Sequence, residues 1–304
     1  VKVVKGKIHE PVLLKEVIEL LKIDSGGVYV DCTLGDGSYS LAILEKLRKG
    51  RLISLDCDES SIEYVQECYS EKIKRGRWDI VRANFKDLND VLAEFGIKRV
   101  SGIVFDLGLS SRQLDDPLRG FSYKSEAKLD MRMDDRLGVN ASDLIRVAGK
   151  SQLEKILTSY GEERFAGRIS SAIKEWVRDN PESTMKTGNL VKLIRRVVPA
   201  GYRKGLKHPA RRTFQALRIA VNDELFNLAV GLSSALSMAA SGCRIVVISY
   251  HSLEDRIVKR SFKEAVENKG FISVSRRLVV PSDNEKKRNP RSRSAKLRVV
   301  EKSE

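Results

Sequence analysis

Val28-Tyr-Val-Asp-Cys-Thr-Leu-Gly-Asp-Gly-Ser-Tyr-Ser40 joins a short apolar run to a helical pattern through a loop with an acid and two glycines. Val28-Tyr-Val30 has the length and branching of a buried strand, and Asp31 ends it. From Ser38 to Leu47 the apolar residues recur at helical spacing. The same rhythm repeats on either side. Pro11 to Leu21 reads as a helix, with Pro11 suited to a first turn. Leu52-Ile-Ser-Leu55 is a second strand ending in Asp56, and Asp58 is a good cap for the helix after it. Trp78 to Val81 reads as a third strand, and Gly102 to Phe105 as a fourth ending in Asp106. Strands and helices in this order predict a parallel sheet wrapped by helices, an α/β, Rossmann-like fold.

Beyond Leu114 the rhythm changes, and up to Lys207 the pattern is helical or irregular. From His208 a long helical stretch leads to Cys243-Arg-Ile-Val-Val-Ile-Ser249, the strongest strand pattern in the chain. A helix starts near Leu253, and strand-like runs at Ile272–Val274 and Leu297–Val300 close the sequence. The expected organisation is a discontinuous α/β domain, 1–113 and 210–304, with a helical domain, 114–209, inserted after the fourth strand.

Open parallel sheets bind ligands at the carboxyl ends of their strands. Gly35 and Gly37 let the backbone approach a ligand, and the helix after them offers free N–H groups. Asp56, nineteen residues after Gly37, can accept from both hydroxyls of a ribose. A dinucleotide site wants a third glycine, where this chain has Ser40. An S-adenosylmethionine site needs no pyrophosphate pocket, and an acid such as Asp31 suits a sulfonium and an amino group. Three acids, at the ends of the first, second and fourth strands, favour S-adenosylmethionine.

The 304 residues carry 56 Lys plus Arg against 41 Asp plus Glu, a net charge of +15, which points to a polyanionic partner. Cys32, Cys57, Cys68 and Cys243 form no C-x-x-C pair, so neither a zinc site nor a disulfide framework is expected. With no apolar run of membrane length and no secretory pattern, the chain reads as cytoplasmic and without a membrane partner. Cys32 and Cys57 are expected to follow neighbouring strands at the carboxyl edge.

From Phe105-Asp-Leu-Gly-Leu-Ser-Ser111 onward the sequence resembles one family, the bacterial small-subunit ribosomal RNA (cytosine-N4-)-methyltransferases, known as RsmH or MraW. Matching blocks include His9-Glu-Pro-Val-Leu-Leu14, Gln113-Leu-Asp-Asp116, Arg119-Gly-Phe-Ser122 and Leu129-Asp-Met-Arg-Met-Asp134. Others are Tyr160-Gly-Glu-Glu-Arg-Phe165, Arg212-Thr-Phe-Gln-Ala216, Asn222-Asp-Glu-Leu225, Ser249-Tyr-His-Ser-Leu-Glu-Asp-Arg256 and Asn289-Pro-Arg-Ser-Arg-Ser-Ala295. The resemblance implies a class I methyltransferase sheet with an inserted substrate-recognition domain, S-adenosylmethionine as cofactor and the RNA of the small ribosomal subunit as substrate. It places Gly37, Ser38 and Tyr39 in the cofactor loop, Asp56 at the ribose, Phe85 against the adenine, and Asp106 and Gln113 at the reacting end. The chain departs from the family where Ser38-Tyr39 replaces the usual Gly-His, where Arg112 replaces Pro, and at Cys32. Ser38 takes left-handed backbone angles less freely than Gly, which bears on the loop.

The implied reaction is attack of the cytosine amine on the sulfonium methyl. That nitrogen is a poor nucleophile, and an acceptor on its N–H helps it towards tetrahedral geometry. Asp106 is expected either there or on the amino-acid part of the cofactor. His251 and His9 read as corner or packing residues, and Asp130 and Asp134 as ion-pair partners of Arg132 or Arg136. Eight Lys or Arg between Arg195 and Arg218, with Tyr202 and Phe214 interleaved, and seven between Lys286 and Val300 contain no acid and suggest RNA contact. The alternative is an assembly factor of the same fold that binds RNA without turnover.

Overall fold

The computed structural model describes residues 11–124, 126–203, 205, 208–275 and 277–304. His9 lies outside the described residues, as do Lys204 and Lys207 of the first basic run. Helix α1 (Leu14–Leu21) leads into β1 (Val28–Asp31), α2 (Ser38–Lys46), β2 (Arg51–Asp56), α3 (Glu59–Lys72), β3 (Trp78–Arg82), α4 (Leu88–Glu94) and β4 (Val100–Asp106). Next come α5 (Ser111–Asp115), α6 (Ala141–Val147), α7 (Lys150–Gly161), α8 (Ala166–Asp179), α9 (Thr187–Val197), α10 (Ala200–Arg203) and α11 (Arg211–Asn222). The chain ends with α12 (Glu224–Met238), β5 (Ala239–Ser249), α13 (Ser252–Asn268), β6 (Phe271–Ser273), α14 (Asp283–Arg288) and β7 (Lys296–Lys302).

The seven strands form one sheet in the order β3-β2-β1-β4-β5-β7-β6. β1 to β5 run parallel, and β7 is antiparallel to both of its neighbours. Side chains alternate between the faces, as the period of two requires. Val30, Ile103, Phe105, Ile245 and Val247 pack with residues of α4, α12 and α13 on one face. Tyr29, Leu52, Val104, Val246 and Ile248 pack with residues of α1, α2 and α3 on the other. Both faces are covered, which is why these strands read as nearly continuous apolar runs. Asp58 caps α3 as expected, its carboxylate accepting from Ser60 N at 3.1 Å.

The chain packs as two compact units, one comprising the chain up to Gly108 with Leu225–Glu304, the other Leu109–Glu224. The expected boundaries at 113/114 and 209/210 therefore shift to 108/109 and 224/225. The larger shift comes from α11, which buries Phe214, Ala216 and Leu217 in the core of the second unit beside Leu153 and Leu157 of α7. An amphipathic pattern shows that a helix has a buried face without showing which core receives it. Asp223, with φ of 49°, ends α11 in the left-handed region and breaks the stretch that reads as one helix in sequence.

Within the second unit, Asn222 Nδ2 donates to the Met131 carbonyl at 2.8 Å, and its Oδ1 accepts from Met133 N at 2.7 Å. Arg132 and Arg136 grip Asp130 and Asp134, with closest contacts of 2.9 and 2.7 Å, the pairing expected for those carboxylates. Within the first unit, Asp255 ties α13 to β7 by accepting from Arg298 Nε at 2.7 Å and Lys296 Nζ at 2.8 Å. Burial pushes the Asp255 carboxyl up, but the hydrogen bonds from Arg298 and Lys296 outweigh it and hold it below the usual range.

A carboxyl held low in the folded state stabilises the fold above its unfolded pKa, and that contribution is lost as pH falls through the folded value. Asp255→Ala is expected to lower stability at pH 7 by about 2 kcal/mol, since hydrogen bonds to charged groups contribute that much. The deficit should shrink as pH drops below about 4. Chemical denaturation of both proteins at several pH values measures it, and a deficit independent of pH would refute the assignment.

Candidate active site at the carboxyl edge of the sheet

The chain runs from β1 outward to β3 on one side, then returns through β4 to β5 on the other. The reversal lies between β1 and β4, the place where open parallel sheets bind ligands. Asp31 pairs in register with Val104 on β4 and Ser54 on β2, so Asp56 and Asp106 each stand two residues further towards the carboxyl edge. Asp106 N donates to Thr33 Oγ1 at 2.7 Å, which joins β4 to the loop after β1.

A directional hydrogen-bond chain reaches the buried Asp31. Trp78 Nε1 donates to Ser54 Oγ at 2.8 Å, and Ser54 and Ser40 are 2.8 Å apart. Ser40 Oγ donates to Asp31 Oδ2 at 2.6 Å, and Thr33 N donates to Oδ1 at 3.1 Å. An indole can only donate, so every hydroxyl hydrogen in this chain points towards the carboxylate. Asp56 accepts from Gly35 N and Asp58 N, both at 2.9 Å. Asp106 accepts from the Tyr250 hydroxyl at 2.7 Å and also faces Tyr39. Burial pushes Asp31 up to about 6 and Asp56 and Asp106 each up to about 7; these hydrogen bonds pull the other way, without restoring ordinary values. Among the described residues, no Lys or Arg is paired with any of the three. An acidic set without cations suits a ligand that brings positive charge, as a sulfonium and an ammonium do.

The loop resolves the question raised by Ser38. Gly37 takes the left-handed angles, with φ of 79°, whereas Ser38 is the first residue of α2 and needs none. The N–H groups of that first turn point out of the helix. The Tyr39 side chain is buried, and its hydroxyl donates to the Val12 carbonyl at 2.5 Å. Phe85 follows β3 and meets Phe105 edge to face, 5.7 Å between centroids. Gly231 on α12 makes room for it, because an added Cβ there would lie 2.8 Å from the Phe85 ring. Gln113 belongs to the second unit, where its Oε1 accepts from Ser110 N at 3.0 Å in the capping box of α5. Cys32 is buried and Cys57 half-buried, after the adjacent strands β1 and β2.

Tyr250 is the site residue that the sequence reading passed over. Its signal was position, one residue past the strand that neighbours β4. His251 is the cap of α13: its Nδ1 accepts from Glu254 N at 3.3 Å, while Glu254 Oε2 accepts from Tyr250 N and His251 N at 2.8 and 3.2 Å. That is the corner role expected for it.

The sequence matches the MraW methylase family over residues 6–303. The chain belongs to that family. It is 41% identical over 309 aligned residues to the ribosomal RNA small subunit methyltransferase H of Fusobacterium nucleatum, covering 96% of each chain. It is 42% identical to the protein of the same name from Limosilactobacillus fermentum, covering 96% of this chain and 98% of that one. The family's cofactor is S-adenosylmethionine. The acidic carboxyl edge fits that cofactor. No helix among the described residues is long and apolar enough to cross a membrane.

A carboxyl raised to about 7 binds more protons folded than unfolded, so its contribution to stability is present at low pH and lost as pH rises from about 4 to 7. Asp56→Asn should therefore become more stable relative to the unmutated protein as pH goes from 5 to 8 without cofactor. If Asp56 accepts the ribose hydroxyls, as the resemblance implies, its neutralisation should lower cofactor affinity at pH 8 by about tenfold or more. Thermal unfolding at both pH values and a cofactor titration test this; a flat stability difference with unchanged affinity would remove Asp56 from the site.

Proposed function

We propose that this chain transfers the methyl group of S-adenosylmethionine to the exocyclic N4 amine of a cytosine in small-subunit ribosomal RNA. The observation that carries the reading is the set of strand-end acids without cationic partners, in a chain of the methylase family whose curated relatives are named for the small-subunit RNA. Asp56 accepts the ribose hydroxyls, Phe85 lies against the adenine, and Gly37, Ser38 and Tyr39 present the start of α2. Gln113 is retained on the family resemblance alone. The bound cofactor supplies an electrophilic methyl carbon on a positively charged sulfur.

Asp106 is assigned to the amine. An acceptor on one N–H draws the nitrogen lone pair out of the ring and stabilises the charge that develops. Its carboxyl, pushed up to about 7 by burial, drops when a cation is brought beside it, which favours the ionised form. Methylation makes the nitrogen acidic, so its proton passes to the accepting Asp106 carboxylate or to water without a strong base, and His251 has no part in the step. The alternative of a factor without turnover is not favoured, because Ser38-Tyr39 leaves the start of α2 intact.

The second unit is assigned to RNA recognition. Arg195 and Arg196 are exposed in the last turn of α9. Arg218 is bound to Glu224 at 2.8 Å, and Phe214 is buried, so neither adds to a phosphate or base platform as the sequence suggested. Tyr202 is also engaged, edge to face with Phe165, with its hydroxyl on Glu163. In the first unit, Lys296 and Arg298 of the other basic run are held by Asp255.

Asp106→Asn should reduce single-turnover methylation on the order of a hundredfold while cofactor affinity changes little. If affinity falls first and saturating cofactor restores the rate, Asp106 holds the cofactor instead. Mapping of methylated cytosines after incubation with undermodified small subunits tests the substrate. Replacing Arg195 and Arg196 by Glu should weaken RNA binding, lower its salt slope by about one per lost phosphate contact, and leave cofactor binding unchanged.

A further inference from the structure

The register of β4 and β5 places a phenol on the proposed amine acceptor. Asp106 is paired with Ile248, Leu107 N donates to the Ile248 carbonyl at 3.0 Å, and Tyr250 follows two residues later. Gly108, at φ of +98°, turns the chain beside the tyrosine ring, and an added Cβ there would lie 3.5 Å from Cδ2. The base of Tyr250 is fixed as well, because its N–H donates to Glu254 Oε2 at 2.8 Å in the cap of α13. From this anchored position the hydroxyl reaches Asp106 Oδ1 at 2.7 Å.

Tyr39 faces the same carboxylate from α2, but the two phenols are not equivalent. A hydroxyl has one hydrogen, and the Tyr39 oxygen donates its hydrogen to the carbonyl oxygen of Val12, 2.5 Å away, which can only accept. Among the described residues the Tyr250 hydroxyl meets no such competing acceptor, so its hydrogen goes to Asp106. The groups that face Asp106 are then Tyr250, Tyr39, Asp31 on β1 and Glu254 on α13. Both acids repel its negative charge. Of the two donors, only Tyr250 holds an undivided hydrogen against that repulsion.

We propose that Tyr250 is a positioning residue for methyl transfer: its phenol pins Asp106 at Oδ1 and sets the plane of the carboxylate before the cytosine amine arrives. The proposal rests on the assignment of Asp106 to the amine. Loss of the phenol should tilt the carboxylate and make it easier to protonate, since the hydrogen bond from Tyr250 favours the ionised form. The rate requires ionised Asp106, so its acid limb should move to higher pH.

The test is Tyr250→Phe, measured by single-turnover methylation of undermodified small subunits from pH 5.5 to 9, with a cofactor titration at pH 8. The expected result is a midpoint displaced upward by about one pH unit and, on the acid limb well below the midpoint, a rate lower by about tenfold, since one unit is a factor of ten. At pH 9 the loss should be smaller, what remains there reflecting the tilt of the carboxylate, with cofactor affinity unchanged. Tyr250→His, which keeps a ring and a donor, should recover part of the acid-side rate, and it carries the test if the Phe variant does not fold. An unmoved profile, or an equal loss at every pH in both variants, overturns the proposal. Asp106→Asn in the same assay separates the two readings. Full activity there sinks the assignment of Asp106 and the proposal with it, whereas an inactive Asp106→Asn beside an unmoved Tyr250→Phe sinks only the role of Tyr250.

Discussion

Parallel pairing of β1 with β4 is the constraint on which the site depends. It sets Asp31 level with Val104, which leaves Asp106 projecting past the end of β1 at the reversal of strand order. Pairing of β1 with β2 does the same for Asp56 on the other side. A slip of one residue in either ladder would turn these carboxylates to the opposite face of the sheet. The register is held by buried residues on both faces, so the apolar core beneath the site and the chemistry above it rest on the same hydrogen bonds.

The electrostatics of this edge run against the character of the chain. A protein with a net charge of +15 gathers three carboxylates where no Lys or Arg is paired with them among the described residues. Burial makes each harder to ionise, and each repels its neighbours. That arrangement costs stability near neutral pH, and a cationic ligand offsets the cost, a form of strain common at functional sites. The chain of Trp78, Ser54 and Ser40 lessens the strain at Asp31 by aiming donors at it. Backbone N–H groups do so at Asp56, and a phenol does so at Asp106.

Charge runs in the sequence behave differently once folded. Each run is free of acids along the chain, yet Asp255 holds Lys296 and Arg298, and Glu224 holds Arg218. Arg212 donates instead to the Glu162 carbonyl. What is left for phosphate is a smaller set, with Arg195 and Arg196 exposed on α9. The aromatic residues between the basic ones are packing residues for the same reason: burying a large ring stabilises the helical unit more than leaving it open would.

Much of the fold was legible in the residues because strands buried on both faces must be apolar and β-branched, and a cap such as Asp58 announces the helix it starts. All seven strand runs read from the sequence are strands of the sheet, and Asp31, Asp56 and Asp106 end theirs. These features are local, and local patterns survive into sequence. Where the second boundary between the units falls was not legible, because the amphipathic α11 could have joined either core. The role of Tyr250 was hidden too, since 144 residues separate it from Asp106 and only the β4–β5 register joins them. The sequence alone determined which residues could carry charge to the ends of strands. Only the tertiary structure decided which of those charges are neutralised, because ion pairs and hydrogen bonds depend on distance in space and not along the chain.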